Sequence, residues 1–300
     1  MAQLTGGERG FLLLTSNLGV PDRKPLTVAR FRELAWRMGQ LKDREGNRDL
    51  KSSDLTALGY DADAAEHILA LLQEELLLEW YLSRGAREHC TPITRASEGY
   101  PLIVRRRLGM DAPGVLWAKG DLQILKTPAI ALVGSRELRE ENLLFAREVG
   151  CQAARQGLTL VSGNARGADR AAQDACLQEG GQVISVVADS LLQHEPKENV
   201  LYLSENSYDE PFSSQRALSR NRVIHTLGRM VFVAQATLGK GGTWDGTVKN
   251  LHHGWSSVAC FRDGSDACRE LEQMGAFSVG LEDLSDLAAL SAPEETLFDR

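Results

Sequence analysis

The stretch Leu160-Val-Ser-Gly-Asn-Ala-Arg-Gly-Ala-Asp169 passes from apolar residues into a run of small ones. Its first part predicts a buried strand, and a helix is expected to open near Gly167. Small residues at a strand–loop–helix turn let backbone N–H groups approach an anion closely. The stretch therefore predicts an α/β fold with an anion site where a strand ends.

Two other turns share this layout. The run Ile130–Arg136 ends in Gly134, Ser135 and Arg136, and the apolar run Val231–Gln235 leads into Gly239-Lys-Gly-Gly-Thr243. In an open parallel sheet such loops emerge together at the carboxyl ends of the strands, where this architecture binds ligands. Because the three loops also carry basic residues, we expect a phosphate-bearing ligand there; these residues are Arg136, Arg166 and Lys240.

Alternating patterns give the fold class. Short apolar runs predict strands at 129–133, 158–161, 182–187, 200–203, 230–234 and 257–261, and amphipathic stretches predict helices at 139–156, 167–180, 213–227, 243–253 and 265–274. This alternation indicates a doubly wound parallel α/β sheet. Earlier in the chain the pattern is helical, at 26–38, 53–59 and 63–82. We therefore expect a helical N-terminal domain at 1–85, an extended linker with short strands at 86–125, an α/β domain at 126–280 and an acidic tail at 281–300.

Composition restricts the class of protein. The 300 residues suffice for about two domains, and the five cysteines are scattered without a CxxC pair. The histidines form no metal-binding pattern, so we expect no metal site and no cofactor. No apolar run approaches the ~20 residues that span a bilayer, and Phe11–Leu14 is too short for a signal peptide. These features predict a cytoplasmic protein with reduced thiols and no membrane contact.

Charge is unevenly distributed along the chain. The formal net charge is −7, yet residues 211–250 hold six basic residues and one acidic residue. Within this region Arg220-Asn221-Arg222 places two guanidinium groups and an amide in one helical turn, and guanidinium groups suit phosphate oxygens. The alternative is an exposed, arginine-rich helix face that pairs with nearby acids. Its position beside the glycine loops favours an anion-binding role.

Five motifs together resemble the bacterial DNA-processing protein A (DprA/Smf) family over roughly residues 1–265. They are Thr91-Pro-Ile-Thr-Arg95 with Tyr100-Pro-Leu102, then Pro113 to Gly120, then Ala129 to Arg136, then Ser162 to Asp169, then Phe212 with Arg220-Asn-Arg-Val-Ile224. The resemblance implies an N-terminal domain of sterile-alpha-motif type and a Rossmann-like domain. It also implies single-stranded DNA binding in a basic pocket, homodimers, and transfer of the strand to a RecA-type recombinase during natural transformation.

The family's phosphate-contacting elements carry over onto named positions here. With Lys240 from the loop argument, the predicted site comprises Gly134, Ser135, Arg136, Ser162, Gly163, Asn164, Arg166, Gly167, Arg220, Asn221, Arg222 and Lys240. The chain departs from the family pattern at Gln173, near a usual histidine, and in having an acidic segment where many members have a winged helix. An alternative is therefore a nucleotide-ligand sensor, or an antitoxin-like subunit of an anti-phage module whose partner is a toxin.

An enzymatic function is the remaining class. Gly241-Gly-Thr243 is similar to the loop of phosphoribohydrolases, which release bases from nucleoside monophosphates and place a glutamate one turn later. Here that turn carries Asp245, Thr247 and Lys249 instead. No Gly-x-Ser-x-Gly elbow is present. We therefore predict a binding protein rather than an enzyme, with Asp169 accepting backbone N–H groups to order its loop.

Overall fold

The structure, a computed structural model, describes residues 4–40 and 50–290. They divide into two units. The first contains the described residues up to Tyr100 together with Pro113–Trp117 and Glu205–Glu210. The second contains Pro101–Ala112, Ala118–Ser204 and the described residues from Pro211 onward. In these ranges no helix has the length and apolar character needed to cross a membrane.

Helices dominate the first unit, as predicted. They are α1 (Gly6–Thr15), α2 (Val28–Gly39), α3 (Ser52–Ala57), α4 (Ala62–Gln73) and α5 (Glu75–Arg87). The inward faces of α1 to α4 share one apolar core, built from Leu14, Leu26, Leu34, Leu55, Ala65, Ile68 and Leu71. Because this core buries one stripe of each helix, packing stabilises helices that are individually short.

The prediction of one continuous helix at 63–82 is wrong, because α4 ends and α5 begins around Glu74. The Glu74 backbone leaves the helical region, and its carboxylate accepts a 2.6 Å hydrogen bond from Arg23 Nε. Leu71 and Leu78 are nevertheless both buried. Apolar residues seven positions apart continue the helical pattern across the break, so the pattern does not show it.

An aromatic cluster explains why the first unit includes distant segments of the chain. The ring centroids of Tyr81 and Tyr208 lie 4.6 Å apart, and that of Trp117 lies 4.7 Å from Tyr208 and 5.4 Å from Tyr81. Tyr81 Oη also donates a 2.9 Å hydrogen bond to Asp209 Oδ1. Fully buried rings held in this way place residues 113–117 and 205–210 in the first unit. The predicted boundary near residue 85 does not coincide with this division.

Residues 86–125 are not an extended linker. They form β1 (Cys90–Thr94), α6 (Leu102–Leu108) and β2 (Val115–Lys119), with 3₁₀ turns at Gly109–Asp111 and Leu122–Lys126. Every residue of β2 is buried. In the second unit, Arg107 Nη1 of α6 donates to the carbonyl oxygens of Thr226 and Gly228 at 3.0 and 2.5 Å. The short strands were predicted, but α6 was not, because seven residues beside a proline carry little periodic signal.

The second unit is built on parallel strands. These are β3 (Ala129–Val133), β4 (Thr159–Ser162), β5 (Val183–Val187), β6 (Val200–Glu205), β7 (Met230–Val233), β8 (Ser257–Phe261) and β9 (Phe277–Val279). They lie in the order β6-β5-β4-β3-β7-β8-β9, and every pairing is parallel. The strand order reverses between β3 and β7, as in Rossmann-like folds. The predicted fold class is confirmed.

Helices connect these strands. They are α7 (Glu140–Arg155), α8 (Ala168–Gln178), α9 (Ser214–Leu227), α10 (Gly241–His253) and α11 (Asp266–Gln273), each within two residues of its predicted bounds. All residues of β3, β4, β5 and β7 are buried. Strands covered on both faces read as continuous apolar runs, which is why the sequence locates them well.

The predicted acidic tail is wrong for its first half. Residues Glu282–Ser285 form a 3₁₀ turn, and α12 (Leu287–Leu290) follows. Leu284 and Leu287 are each 1% exposed and belong to the apolar core of the sheet. Two buried leucines among three acidic neighbours do not change the local composition, so composition alone suggests a solvated segment. Residues 291–300 lie outside the described residues.

Close packing of α7 against α8 gives a stability prediction. A methyl group at Gly150 would lie 2.1 Å from the carbonyl oxygen of Ala172, a backbone atom that cannot easily move. We expect Gly150→Ala to lower the free energy of unfolding by about 2 kcal/mol. The matched control is Gly10→Ala in α1, where no atom lies within 4 Å and alanine favours the helix. Denaturant unfolding in which Gly150→Ala is as stable as Gly10→Ala would contradict this packing.

Candidate functional site

One pocket of about 890 Å³ lies where the strand order reverses. Its walls come from the loop after β3, the loop after β4 and the loop between β7 and α10, together with one face of α9. These are the three loops that the sequence singled out. Ligands of open α/β sheets bind at this point, because loops on either side of it diverge and leave a crevice. The fold therefore supplies the cavity before any side chain is considered.

Three exposed cations surround the pocket. Arg136 follows β3, Arg166 lies in the loop after β4, and Lys240 immediately precedes α10. The Arg166 side chain is 80% exposed, and its distance of 3.9 Å to Glu137 makes only a weak, solvated ion pair. Long flexible cations in this position are able to reach an anionic ligand. The structure places these three side chains, which the sequence analysis singled out, around one cavity.

A buried carboxylate orders the loop after β4. Asp169 Oδ2 accepts hydrogen bonds from the backbone N–H groups of Gly163 at 3.1 Å and Ala165 at 3.2 Å. Asn164, between them, has a positive φ of 58°, which an asparagine tolerates better than most residues. The loop is therefore fixed in a bent conformation by the first turn of α8, as the sequence analysis predicted for Asp169.

Arg220 is buried, unlike the three exposed cations around the pocket. Its residue is only 9% exposed, and its Nη2 donates a 3.2 Å hydrogen bond to the Gly163 carbonyl oxygen. A methyl group at Gly163 would lie 1.9 Å from Arg220 Nη1, so the guanidinium lies directly against the glycine. Arg220, predicted as a phosphate-binding residue, is therefore buried and not exposed, and its contact with a phosphate stays a prediction. It lines the pocket and, through the Gly163 carbonyl oxygen, holds the same loop whose N–H groups bind Asp169.

The charge balance at this point is set by burial. Burial raises the pKa of the Asp169 carboxyl, while the positive charge of Arg220 and the two N–H donors act in the opposite direction. Each of two opposite buried charges offsets the free energy that the other loses on leaving water, so removing one leaves the other uncompensated. Asp169 and Arg220 are therefore expected to act as one unit in holding the loop.

The loops after β3 and β4 touch at Gly167. This glycine has φ 92°, and a Cβ atom there would lie 2.5 Å from the carbonyl oxygens of Ser135 and Arg136. Only a residue without a side chain permits this approach. The Ser135 N–H and Oγ in turn donate to the Gln235 carbonyl oxygen at 3.0 and 3.1 Å. These contacts fix all three loops relative to one another.

Asn221 positions the start of α10. Its Nδ2 donates a 3.0 Å hydrogen bond to the Gly242 carbonyl oxygen, while Gly241 and Gly242 line the pocket. The first N–H groups of a helix are unsatisfied within the helix and attract anions. The Asn221 amide thus fixes the neighbouring loop at the start of α10.

The predicted site residues fall into two groups. Seven line the pocket, namely Gly134, Ser135, Arg136, Arg166, Arg220, Asn221 and Lys240. The other five, Ser162, Gly163, Asn164, Gly167 and Arg222, do not. Ser162 is buried and accepts a 2.5 Å hydrogen bond from Gln173 Nε2, so it supports β4 from inside the sheet. Arg222 lies on α9 away from the pocket, because α9 turns positions 218, 221 and 225 toward it.

Among the pocket residues outside the predicted site, three on or beside α9 determine its character. Phe212 and Leu218 are 53% and 50% exposed and give the cationic pocket an apolar side. Leu218 lies apart from the buried apolar residues of α9, which are Val223, Ile224 and Leu227. His225 lies at the fully buried end of the pocket, and burial and the charge of Arg220 lower its pKa to about 3. A helical wheel of α9 would have separated the two faces, but not identified which one faces a ligand.

Among the described residues no group of three or more potential ligands is arranged to hold a metal ion. All five cysteines are free thiols, four of them buried.

Comparison with known sequences agrees with these motifs. The family model for DNA recombination-mediator protein A matches residues 91–288. The DNA processing protein DprA of Streptococcus pneumoniae is 35% identical over 179 residues, which cover 55% of this chain and 63% of that protein. Protein Smf of Escherichia coli is 32% identical over 142 residues, covering 44% of this chain and 38% of that protein. The matches thus span less than two thirds of the length of either relative.

Two solved structures have the same architecture. The X-ray structure of DprA from Streptococcus pneumoniae aligns with a TM-score of 0.70 at 26% identity, covering 94% of this chain and 97% of that one. DNA processing protein A from Helicobacter pylori, solved to describe its single-stranded DNA binding mode, aligns with a TM-score of 0.55 at 24% identity, covering 65% and 94% of the two chains. At this lower identity the likeness shows the fold.

The burial of Arg220 generates a stability prediction. We expect Arg220→Ala to lower the free energy of unfolding by about 3 kcal/mol, because it leaves the buried Asp169 without a compensating charge. The control Arg166→Ala removes an arginine that is 80% exposed and is expected to change stability by less than about 0.5 kcal/mol. Equal unfolding midpoints for the two variants would show that Arg220 is a surface residue after all.

Burial of His225 predicts a pH dependence of stability. Its pKa is lowered from 6.5 to about 3, so the folded protein holds the neutral ring while the unfolded chain protonates below pH 6.5. Stability from this group is fully present above pH 6.5 and is lost as the pH falls toward 3, at up to about 1.4 kcal/mol per pH unit. Unfolding measured across this range in His225→Gln is expected to show a slope shallower by that amount. The exposed control His252→Gln should keep the original slope, and an unchanged slope in His225→Gln would refute the burial effect.

Proposed function

Because the chain belongs to the DNA recombination-mediator protein A family, we propose that it binds single-stranded DNA in the pocket at the carboxyl ends of β3, β4 and β7. The observation that carries the proposal is the convergence of Arg136, Arg166 and Lys240 around one cavity at the reversal of strand order. Phosphates supply most of the affinity of nucleic acids for proteins, and these three exposed side chains are able to contact them.

The Gly-rich start of α10 adds a second type of anion contact. Gly241 and Gly242 line the pocket, and an N–H group without a side chain beside it can approach a phosphate oxygen closely. Lys240, next to them, adds a full charge at the same place. We therefore place one phosphate of the strand at this helix end and its neighbours at Arg136 and Arg166.

The apolar side of the pocket favours a single strand over a duplex. Phe212 and Leu218 are half exposed beside the cations, which is an unfavourable position for large apolar side chains without a ligand. Unpaired bases stack on such side chains with little sequence preference, whereas bases in a duplex are not available for stacking. A strand whose phosphates lie along the cations would bring bases to this side.

The cellular role is part of the same proposal. We propose that the chain acts in DNA recombination or processing, as a homodimer that passes its strand to a RecA-type recombinase. The support is the family match over residues 91–288 and the alignment with 97% of the Streptococcus pneumoniae DprA chain.

A second candidate is a sensor of a small phosphorylated ligand. It is favoured by the size of the pocket, since about 890 Å³ lies within the usual range for small-molecule sites. The same cations and helix end would then hold the phosphate of a free nucleotide. Competition between an oligonucleotide and mononucleotides separates the two candidates.

The salt dependence of binding tests the proposal directly. With three cations at phosphates, the slope of log K against log salt for a single-stranded oligonucleotide is expected to be about −2. Arg136→Ala, Arg166→Ala and Lys240→Ala should each weaken binding and make the slope shallower by about 0.7. Fluorescence anisotropy with a labelled oligonucleotide at several salt concentrations measures both quantities.

The matched control for this titration is Lys249→Ala. Lys249 lies on α10, pairs with Asp245 at 2.8 Å and does not line the pocket, so its removal should leave the affinity and slope unchanged. Duplex DNA of the same sequence should bind more weakly. A salt-independent affinity, or a stronger preference for a mononucleotide, would reject the single-strand proposal in favour of the sensor.

We also propose that the chain has no base-releasing activity. The Asp169 carboxylate is engaged by two N–H groups, and Asp245 pairs with Lys249 outside the pocket, so the two carboxylates are not placed together as acid and base. Chromatography of AMP, GMP and CMP after incubation with the protein is expected to show no free base above background. Release that disappears in Asp245→Asn would overturn this expectation.

A further inference from the structure

A pair of buried thiols joins β8 to α11. Cys260 Sγ on β8 lies 3.1 Å from Cys268 Sγ on α11, and the two residues are 2% and 7% exposed. Cys260 Sγ also lies 3.8 Å from the Cys268 carbonyl oxygen. A disulfide has its sulfur atoms about 2.05 Å apart, so closure needs a movement of only about 1 Å. Neither the DNA-binding pocket nor the family motifs involve these residues.

We propose that Cys260 and Cys268 form an oxidation site, which closes to an intramolecular disulfide when the protein meets a peroxide. The sequence spacing alone does not suggest it, because the cysteines are eight positions apart and no CxxC motif is present. The pairing arises from the fold, which returns the chain from β8 through a short loop into α11. The proposal is independent of what occupies the pocket.

The surroundings divide the roles of the two thiols. The two thiols share one hydrogen bond in which either sulfur can donate, and with Cys268 as the thiolate Cys260 is the donor. This contact lowers the pKa of Cys268 and raises that of Cys260. Cys268 also lies in the first turn of α11, where the helix N-terminus favours a negative sulfur. Glu272 and Asp263 act against the thiolate, so the hydrogen bond from Cys260 is the dominant favourable contact.

The reaction balances with one peroxide molecule. The Cys268 thiolate attacks one oxygen of hydrogen peroxide, the O–O bond breaks, and the products are a sulfenic acid and hydroxide, which becomes water on taking up a proton. Cys260 sulfur then attacks the Cys268 sulfur, the S–O bond breaks and a second water leaves with the thiol proton. The two thiols lose two electrons, and the peroxide gains them.

Mass spectrometry of the full chain tests the site without any substitution. The reduced protein is treated with hydrogen peroxide, remaining thiols are alkylated, and the chain is digested with trypsin. Cleavage at Lys249, Arg262 and Arg269 separates the two cysteines into peptides 250–262 and 263–269. We expect these peptides joined, with a mass about 2 Da below their sum because two hydrogen atoms have been lost.

Two variants give the matched comparison. Cys260→Ser should abolish the joined peptide, whereas Cys151→Ser, which removes a half-buried thiol elsewhere, should retain it. The oxidised wild type should melt several degrees higher than the reduced protein, because the bond constrains the unfolded chain. Recovery of peptides 250–262 and 263–269 as separate species after peroxide treatment, or joined only to other cysteines, would overturn the proposal.

Discussion

The pocket depends on two buried charged side chains, Asp169 and Arg220, which both bind the backbone of the loop after β4. Asp169 accepts the N–H groups of Gly163 and Ala165, and Arg220 donates to the carbonyl oxygen of Gly163. A loop with unsatisfied backbone groups would be costly at the buried edge of a sheet. Asp169 satisfies N–H groups of the loop and Arg220 satisfies a carbonyl oxygen, so both side chains are needed to hold its conformation.

This bracing separates the roles of the basic residues. Arg220 donates a hydrogen bond to the loop backbone inside the fold, whereas Arg136, Arg166 and Lys240 are exposed around the cavity. Gly167 permits the loops after β3 and β4 to touch, and the Gln235 carbonyl joins the loop after β7 to Ser135. A rigid frame of this kind lowers the entropy lost when flexible cations are brought to a ligand. The proposed phosphate binding thus depends on three loops held as one surface.

The sequence predicts the sheet better than the site. Strands β3, β5 and β7 are mostly apolar runs buried on both faces, and this signal is local in the chain. Strand β9 is three residues long and mostly half-buried, and it was not predicted. The position of Arg220 is not local, because it depends on which face of α9 meets Gly163, a residue that lies 57 positions earlier. For the same reason the sequence does not predict α6 or the burial of Leu284 and Leu287. Motifs located the three loops, while tertiary packing decided which arginines face the cavity.

Hydrogen exchange in the presence of single-stranded DNA tests most directly whether the three braced loops form one binding surface. The amides of residues 135–139 and 238–243 flank the exposed cations, and their exchange is measured by mass spectrometry with and without an excess of oligonucleotide. The account predicts that peptides from both loops exchange more slowly together when DNA is bound, and that Arg166→Ala reduces this protection in both. Protection confined to other parts of the chain, or to one loop alone, would contradict it.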